Sequence, residues 1–255
     1  MATTASTDRL RRITDAVREA GNIGVAELAA LTGASEMTVR RDLEVLAGQG
    51  VLERYRGGAR SLLLRGEEPP FALRAQEGTT AKRRIATEVA GLLADGESVL
   101  LDSGTTCLEV ARALAGRRLT VMPLSLHAVN ALTGAPQLTL LVPGGRPRAG
   151  ELALTGPLTE ASVAALRFDT AVLGCCGLNA AHGLTAYDLD DAAVKRAAIA
   201  SSRRIIAVAE GAKLARTALA VVAPAASVHV VVTDEGAAEE ETDALSATGV
   251  SVRRV

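Results

Sequence analysis

Between residues 25 and 60 the chain spaces hydroxyl and guanidinium side chains in a way that suits contact with a polyanion. Val39, Leu43 and Leu46 recur at i, i+4 and i+7, so one face of a helix there is apolar. A step of 100° per residue sets Met37, Arg41 and Glu44 on the opposite face, with Thr38 and Arg40 flanking it. Ser35 is a well-placed N-cap for this helix. Val25–Leu31, with Val25, Leu28 and Ala29 on one side, predicts a shorter helix before it, and Gly33-Ala34 a tight turn between the two. Val51–Arg56 reads as a strand and Gly57-Gly58 as a turn, which makes a small wing. Arg40, Arg41, Arg54, Arg56 and Arg60 then form a basic stripe across helix and wing. A helix, a short turn and a second helix with a cationic outer face make the helix-turn-helix layout, whose second helix enters the major groove of DNA. Ser35, Met37, Thr38, Arg40, Arg41, Arg54 and Arg56 are the candidate DNA contacts.

A second set of chemistry-bearing residues closes short apolar runs further on. Ser98–Leu101 ends in Asp102-Ser103-Gly104-Thr105-Thr106, which opens a helix. Free backbone N–H groups, the helix dipole and three hydroxyls can cradle a phosphate there. No Gly-Lys-Ser/Thr follows, so this is not a Walker loop. Leu138–Val142 ends in Pro143-Gly144-Gly145-Arg146, where the glycines permit close backbone approach and Arg146 offers a fork to phosphate or carboxylate. Gly174 and Gly177 close a third run, and Glu210 with Lys213 a fourth. Lys195, by contrast, reads as a solvated helix residue, and Cys175-Cys176 as small apolar filler.

The elements that must position these residues follow from periodicity. Asp8–Ala20 predicts a first helix with Leu10, Ile13, Val17 and Ala20 inward. Ser61–Pro70 is a linker broken by Gly66, Pro69 and Pro70. A long helix is expected from Phe71 or Ala72 to Leu93. Beyond it, the runs at Ser98–Leu101, Leu119–Met122, Leu138–Val142, Thr170–Leu173, Arg204–Ala209, Ala218–Val222 and His229–Val232 read as strands. Helical stretches at Thr106–Ala115, Leu126–Thr133, Leu158–Leu166, Ala192–Ser202 and Ala238–Ala247 alternate with them. That alternation implies an α/β, Rossmann-like domain with a mainly parallel sheet, preceded by a small winged helix-turn-helix domain. The expected division is 1–60 for DNA binding, 61–75 for the linker and the start of a connecting helix, and 76–255 for effector binding. Ligands in such sheets bind beyond the carboxyl ends of the strands.

The totals constrain function less. Residues 1–60 hold nine basic and eight acidic residues, a weak electrostatic signature for a DNA binder, so an oligomer, a dimer or tetramer, is expected. The three cysteines are odd in number and two are adjacent, and the three histidines lack ligand spacing with them; neither a disulfide framework, a metal nor a cofactor is expected. No apolar run reaches the roughly 18 residues that span a bilayer, so a cytoplasmic protein without membrane contact is expected.

SEMTVRRDLEVLAGQGVLERYRGGA closely resembles the signature of DeoR-type bacterial transcriptional regulators. EEPPFALR, AKRRIA, DSGTT, PGGRPR, GLT and VKRA, in that order, extend the resemblance over nearly the whole chain. It implies a repressor of sugar or nucleoside catabolic genes, released from its double-stranded operator by a phosphorylated sugar. The effector domain of that family is similar to sugar-phosphate isomerases such as ribose-5-phosphate isomerase. Carried over, Asp102, Ser103, Gly104, Thr105 and Thr106 become the phosphate-side loop, with Gly144, Gly145 and Arg146 opposite and Lys213 matching the lysine of an Asp-x-Ser-Lys pattern. Ser125 is the remaining candidate effector contact. The chain departs from the family at Pro123-Leu124-Ser125, where Thr-Asn-Ser is usual, and at Glu210-Gly211-Ala212-Lys213, where Asp-x-Ser-Lys is usual. The competing function is a sugar-phosphate isomerase with a DNA-binding appendage, for which Asp102, Glu210 and Lys213 are the available acid–base groups.

Overall fold

The computed structural model describes residues 4–48, 51–61 and 71–255. They fall into two compact units, Met1–Glu77 and Gly78–Val255. Most of the expected linker, 62–70, lies outside the described residues.

The first unit runs α1 (Thr4–Ala20), β1 (Asn22–Gly24), α2 (Val25–Thr32), α3 (Glu36–Gly48), β2 (Leu52–Tyr55), β3 (Gly58–Ser61) and α4 (Phe71–Arg74). The three strands form an antiparallel sheet in the order β1-β3-β2. Ile13 and Val17 of α1, Leu28 of α2, and Val39, Leu43 and Leu46 of α3 are nearly or completely buried in one cluster. Each such side chain contributes roughly 1.5–3 kcal/mol of burial, which lets a unit this small fold around three helices. The first helix starts four residues earlier than expected, and Ala20 is exposed at its end. Gly58 begins a strand and leaves the turn to Gly57.

The expected long helix from residue 71 is two helices. Phe71–Arg74 packs in the first unit, where Leu73 joins the core, and α5 (Thr79–Leu92) belongs to the second. Gly78 interrupts the pattern with a left-handed backbone, φ 56°, which apolar periodicity alone does not reveal.

The second unit continues with β4 (Ser98–Leu101), α6 (Thr105–Leu114), β5 (Thr120–Pro123), α7 (Leu126–Leu132), β6 (Thr139–Leu140), β7 (Arg146–Pro147) and β8 (Leu154–Thr155). Then follow α8 (Pro157–Ala164), β9 (Phe168–Gly174), β10 (Gly177–Asn179), β11 (Gly183–Ala186), α9 (Leu189–Ala200) and β12 (Ser202–Ala209). It closes with β13 (Ala220–Ala223), β14 (Val230–Thr233), α10 (Glu239–Ala247) and β15 (Ser251–Arg254). Seven strands form one sheet in the order β15-β14-β12-β9-β4-β5-β6, and every neighbouring pair is parallel. The central strands are apolar on both faces because both are covered. Leu100, Ala171, Leu173, Ile205 and Ala207 enter one core, while Val99, Leu101, Val172, Ile206 and Val208 enter the other.

Three expectations need correction. Ala218–Val222 does not join the main sheet; as β13 it pairs antiparallel with β11 in a separate sheet, β10-β11-β13. The strand expected over Leu138–Val142 shrinks to two residues at the sheet edge. The other edge strand, β15, was not expected at all, because SVRR has no apolar run to announce it.

Chain order along the sheet decides where a site can form. From β4 the chain winds outward through β5 to β6, and from β9 it winds the other way through β12 to β15. β4 and β9 are therefore the adjacent strands at which the winding reverses, and the crevice beyond their carboxyl ends is where such sheets bind ligands.

Candidate functional site

On α3 the inward face is Val39, Asp42, Leu43 and Leu46, and Met37, Arg40, Arg41 and Glu44 are exposed. Ser35 caps the helix: its Oγ accepts the Thr38 N–H at 3.2 Å and lies 2.9 Å from Thr38 Oγ1. Both hydroxyls are thus engaged with each other at the start of the helix. Arg40 pairs with Glu36 one turn back at 2.9 Å, and Arg54 of the wing reaches Glu44 at 2.9 Å. Arg60 is held by Glu53 on the neighbouring strand. Among the described residues, Arg41 and Arg56 have no acidic partner and are exposed. Asp42 points inward, where Arg9 of α1 donates to both its oxygens at 2.6 and 3.3 Å. The Asp of the Arg-Arg-Asp triplet is therefore a brace that seats α3 on α1, and the two arginines before it face out.

In the second unit the switch point is occupied by Asp102 and Gly174. The Gly174 N–H donates to Asp102 Oδ2 at 2.9 Å, and the same oxygen lies 2.7 Å from Lys195 Nζ. Lys195 also bonds Asp191, one turn earlier on α9, at 2.8 Å. Asp102, Asp191 and Lys195 are all buried. Burial works against the Lys195 ammonium, but the two carboxylates outweigh it and raise its pKa above the ordinary lysine value. The reading of Lys195 as solvated is wrong. The available signal was Asp191 and Lys195 one turn apart, amid Ala192, Val194 and Ala198, which lie on a buried face.

Asp102 is thus buried against Lys195 and β9, while the residues after it start α6. Gly104 at its head has φ 100° and no side-chain cap, and the first intrahelical bond runs from Leu108 N–H to the Gly104 carbonyl. The N–H groups of Thr105, Thr106 and Cys107 are thus without intrahelical acceptors. Two other helices of this unit are capped by side chains, α7 by Ser125 through the His127 N–H at 3.2 Å and α9 by Asp188 through the Asp191 N–H at 2.8 Å, while α5 and α8, like α6, start at a glycine without a side-chain cap. Ser125 accepts in that cap and keeps its own O–H to donate.

Arg146 sits on β7, mostly exposed, with Asp190 3.4 Å away. Arg148 approaches Asp188 at 3.5 Å. The first turn of α9 therefore joins both loops, taking Arg146 and Arg148 from one side and, through Lys195, Asp102 from the other. Gly144 and Gly145 serve packing: Thr159 of α8 donates to the Gly144 carbonyl at 2.8 Å, and a Cβ on Gly145 would collide with Thr159 Oγ1. Lys213 donates to the Cys175 carbonyl at 3.0 Å at the end of β9. Glu210 lies 3.4 Å from Lys82, a second buried lysine that patterning did not single out. Among the described residues no cluster of metal-ligating side chains is present, and no helix is long and apolar enough to cross a membrane.

Residues 9–63 match the DeoR-like helix-turn-helix domain, and residues 77–235 match the DeoR C terminal sensor domain. The chain belongs to the DeoR family. It is a transcriptional regulator with a DNA-reading domain followed by a sensor domain. It is 34% identical to the transcriptional repressor AccR of Agrobacterium fabrum, over 92% of each chain. It is 30% identical to the glycerol-3-phosphate regulon repressor of Escherichia coli, over 89% of this chain and 90% of that one. Ribose 5-phosphate isomerase A of Methanocaldococcus jannaschii aligns with a TM-score of 0.41 at 14% identity, over 54% of this chain and 55% of the isomerase.

Proposed function

We propose that this DeoR-family chain represses genes of sugar or polyol catabolism and is released from its operator by a phosphorylated sugar or polyol. In this reading α3 enters the major groove of a double-stranded operator, with Met37 and Arg41 toward the bases, Arg40, Arg54 and Arg56 toward the backbone, and Ser35 and Thr38 forming the helix start. The sensor domain takes the phosphate at Ser103–Thr106, with Arg146 as the opposing cation. The observation that carries it is the start of α6 at the topological switch point, where Gly104 supplies no side-chain cap and the Thr105, Thr106 and Cys107 N–H groups have no intrahelical acceptor. A dianion there accepts charge-assisted hydrogen bonds from N–H groups that otherwise lack partners. The names of the relatives, a glycerol-3-phosphate regulon repressor among them, support the phosphorylated class. Assembly as a dimer or larger oligomer in the cytoplasm belongs to the same reading, because helix-turn-helix readers engage paired half-sites.

The reading makes the second unit a sensor and not an isomerase. An isomerase needs a free carboxylate above the sugar carbon, whereas Asp102 is bound by Lys195 and the Gly174 N–H and is turned into the protein. Effector acts by linkage: it lowers operator affinity only as far as it prefers the non-binding state.

Replacing Thr105 and Arg146 together with Ala tests the proposal. Operator affinity is expected to stay within about twofold, while release by the phosphorylated effector is lost, since each charge-assisted bond is worth roughly 1.5–3 kcal/mol. Calorimetry with glucose 6-phosphate against glucose, and fructose 1-phosphate against fructose, within a wider panel, identifies the ligand class. A double variant that releases DNA as readily as the wild type defeats the phosphate site.

A further inference from the structure

Lys195 is enclosed between two elements that are far apart in sequence. Asp191 lies on its own helix, but Asp102 comes from the end of β4, so one ammonium ties α9 to the strand that carries the uncapped helix start. The Asp102 oxygen that receives Lys195 also receives the Gly174 N–H from β9. A methyl group on Gly174 would meet the Ser103 carbonyl oxygen at 3.2 Å, so β9 passes directly against the loop. Ser103 is the last residue before Gly104, and its path is set by what holds Asp102.

We propose that Lys195 is a positioning residue of the anion site: it does not touch the ligand, and by holding Asp102 it directs the Gly104–Thr106 N–H groups toward it. The inference rests on the reading of that loop as the phosphate site. Charge works in the same sense. Two carboxylates and one ammonium leave one excess negative charge behind the loop, and losing the ammonium doubles it against an incoming dianion. Burial already pushes the Asp102 carboxyl above its ordinary range, so without Lys195 a proton is taken up there as pH falls. Cys107, Cys175 and Lys213 are the other titratable groups around the cluster; burial keeps the Cys107 thiol well above its ordinary value and therefore neutral.

The test is calorimetric titration of the full chain with inorganic phosphate, for the wild type, Lys195→Met, and Lys195→Met combined with Asp191→Asn. The combined variant keeps a single buried carboxyl and serves where the first does not fold. Near pH 8 the folded variants are expected to bind phosphate roughly tenfold or more weakly than the wild type, the scale of one or two lost charge-assisted bonds. Measured against the wild type at the same pH, the part of that deficit due to charge narrows as pH is lowered, as the orphaned Asp102 carboxyl takes up a proton. Variants that match the wild type both there and at lower pH overturn the positioning role, whereas a deficit equal at both supports it and removes the contribution of charge. A wild type that binds no phosphate overturns the loop reading, and the inference with it.

Discussion

Helix α3 of the helix-turn-helix domain keeps its cations in the open: Arg40 and Arg41 are exposed, and the acid that holds Arg40 is one turn away on the same surface. The sensor domain keeps Lys195 sealed, and one of its two acids comes from a strand more than ninety residues earlier. Exposed pairs contribute little to folding, about 0–1 kcal/mol, and are exchanged readily for a phosphate backbone. A buried pair is costly to break because the orphaned partner keeps its desolvation penalty, on the order of 3–5 kcal/mol. The two units thus hold these charges differently, one set paired on the surface and the other buried between elements distant in sequence.

The contrast can be pushed hardest at Arg41. If its lack of an acidic partner leaves it free to meet DNA, Arg41→Ala weakens operator binding by roughly 1–3 kcal/mol, with folding stability within about 0.5 kcal/mol of wild type. Arg40→Ala, which also frees Glu36, costs less. Fluorescence anisotropy on an operator obtained by in vitro selection measures both, and equal losses would remove the distinction between them. Asp42→Ala lies on the other side of the comparison, being a brace inside the DNA-reading unit. It should lower local stability by about 1–2 kcal/mol, read as faster hydrogen exchange of α3 amides; unchanged exchange means that Arg9 contributes nothing. The smallest effect is expected at Asp169 in the sensor domain. Hydrogen bonds from the Ser98 N–H and hydroxyl, with Arg203 nearby, hold its carboxyl below the ordinary range. Its stabilisation is complete above the unfolded value, about 3.9, and is lost as pH falls through the lowered folded one. Asp169→Asn should therefore cost under about 1 kcal/mol near neutral pH and nothing in strong acid, as followed by urea melts.

The helix-turn-helix was legible residue by residue because its determinants are local. Val39, Leu43 and Leu46 state which face is inside, and Arg41 is outside by the same arithmetic. Loop 102–106 was legible for a related reason, since an apolar strand followed by Ser-Gly-Thr-Thr announces a helix start wherever the sheet places it. Asp102 itself was read as part of that loop, and its buried pairing with Lys195 left no local trace. Ser125 and Gly145, chosen as ligand contacts, are engaged in a cap and in close packing against α8.

Local periodicity determined most of the helices and strands and which face of α3 meets solvent, because each depends on neighbours within a turn or two, and the alternation of strands with helices implied the parallel sheet. Only the tertiary structure decided that β4 lies beside β9, that Gly78 divides the connecting helix, and that Lys195 closes on Asp102. An ion pair between distant residues leaves no periodic trace. Its partners are chosen by the winding of the sheet, and Lys195 reads as an ordinary surface lysine until that winding brings a second carboxylate to it.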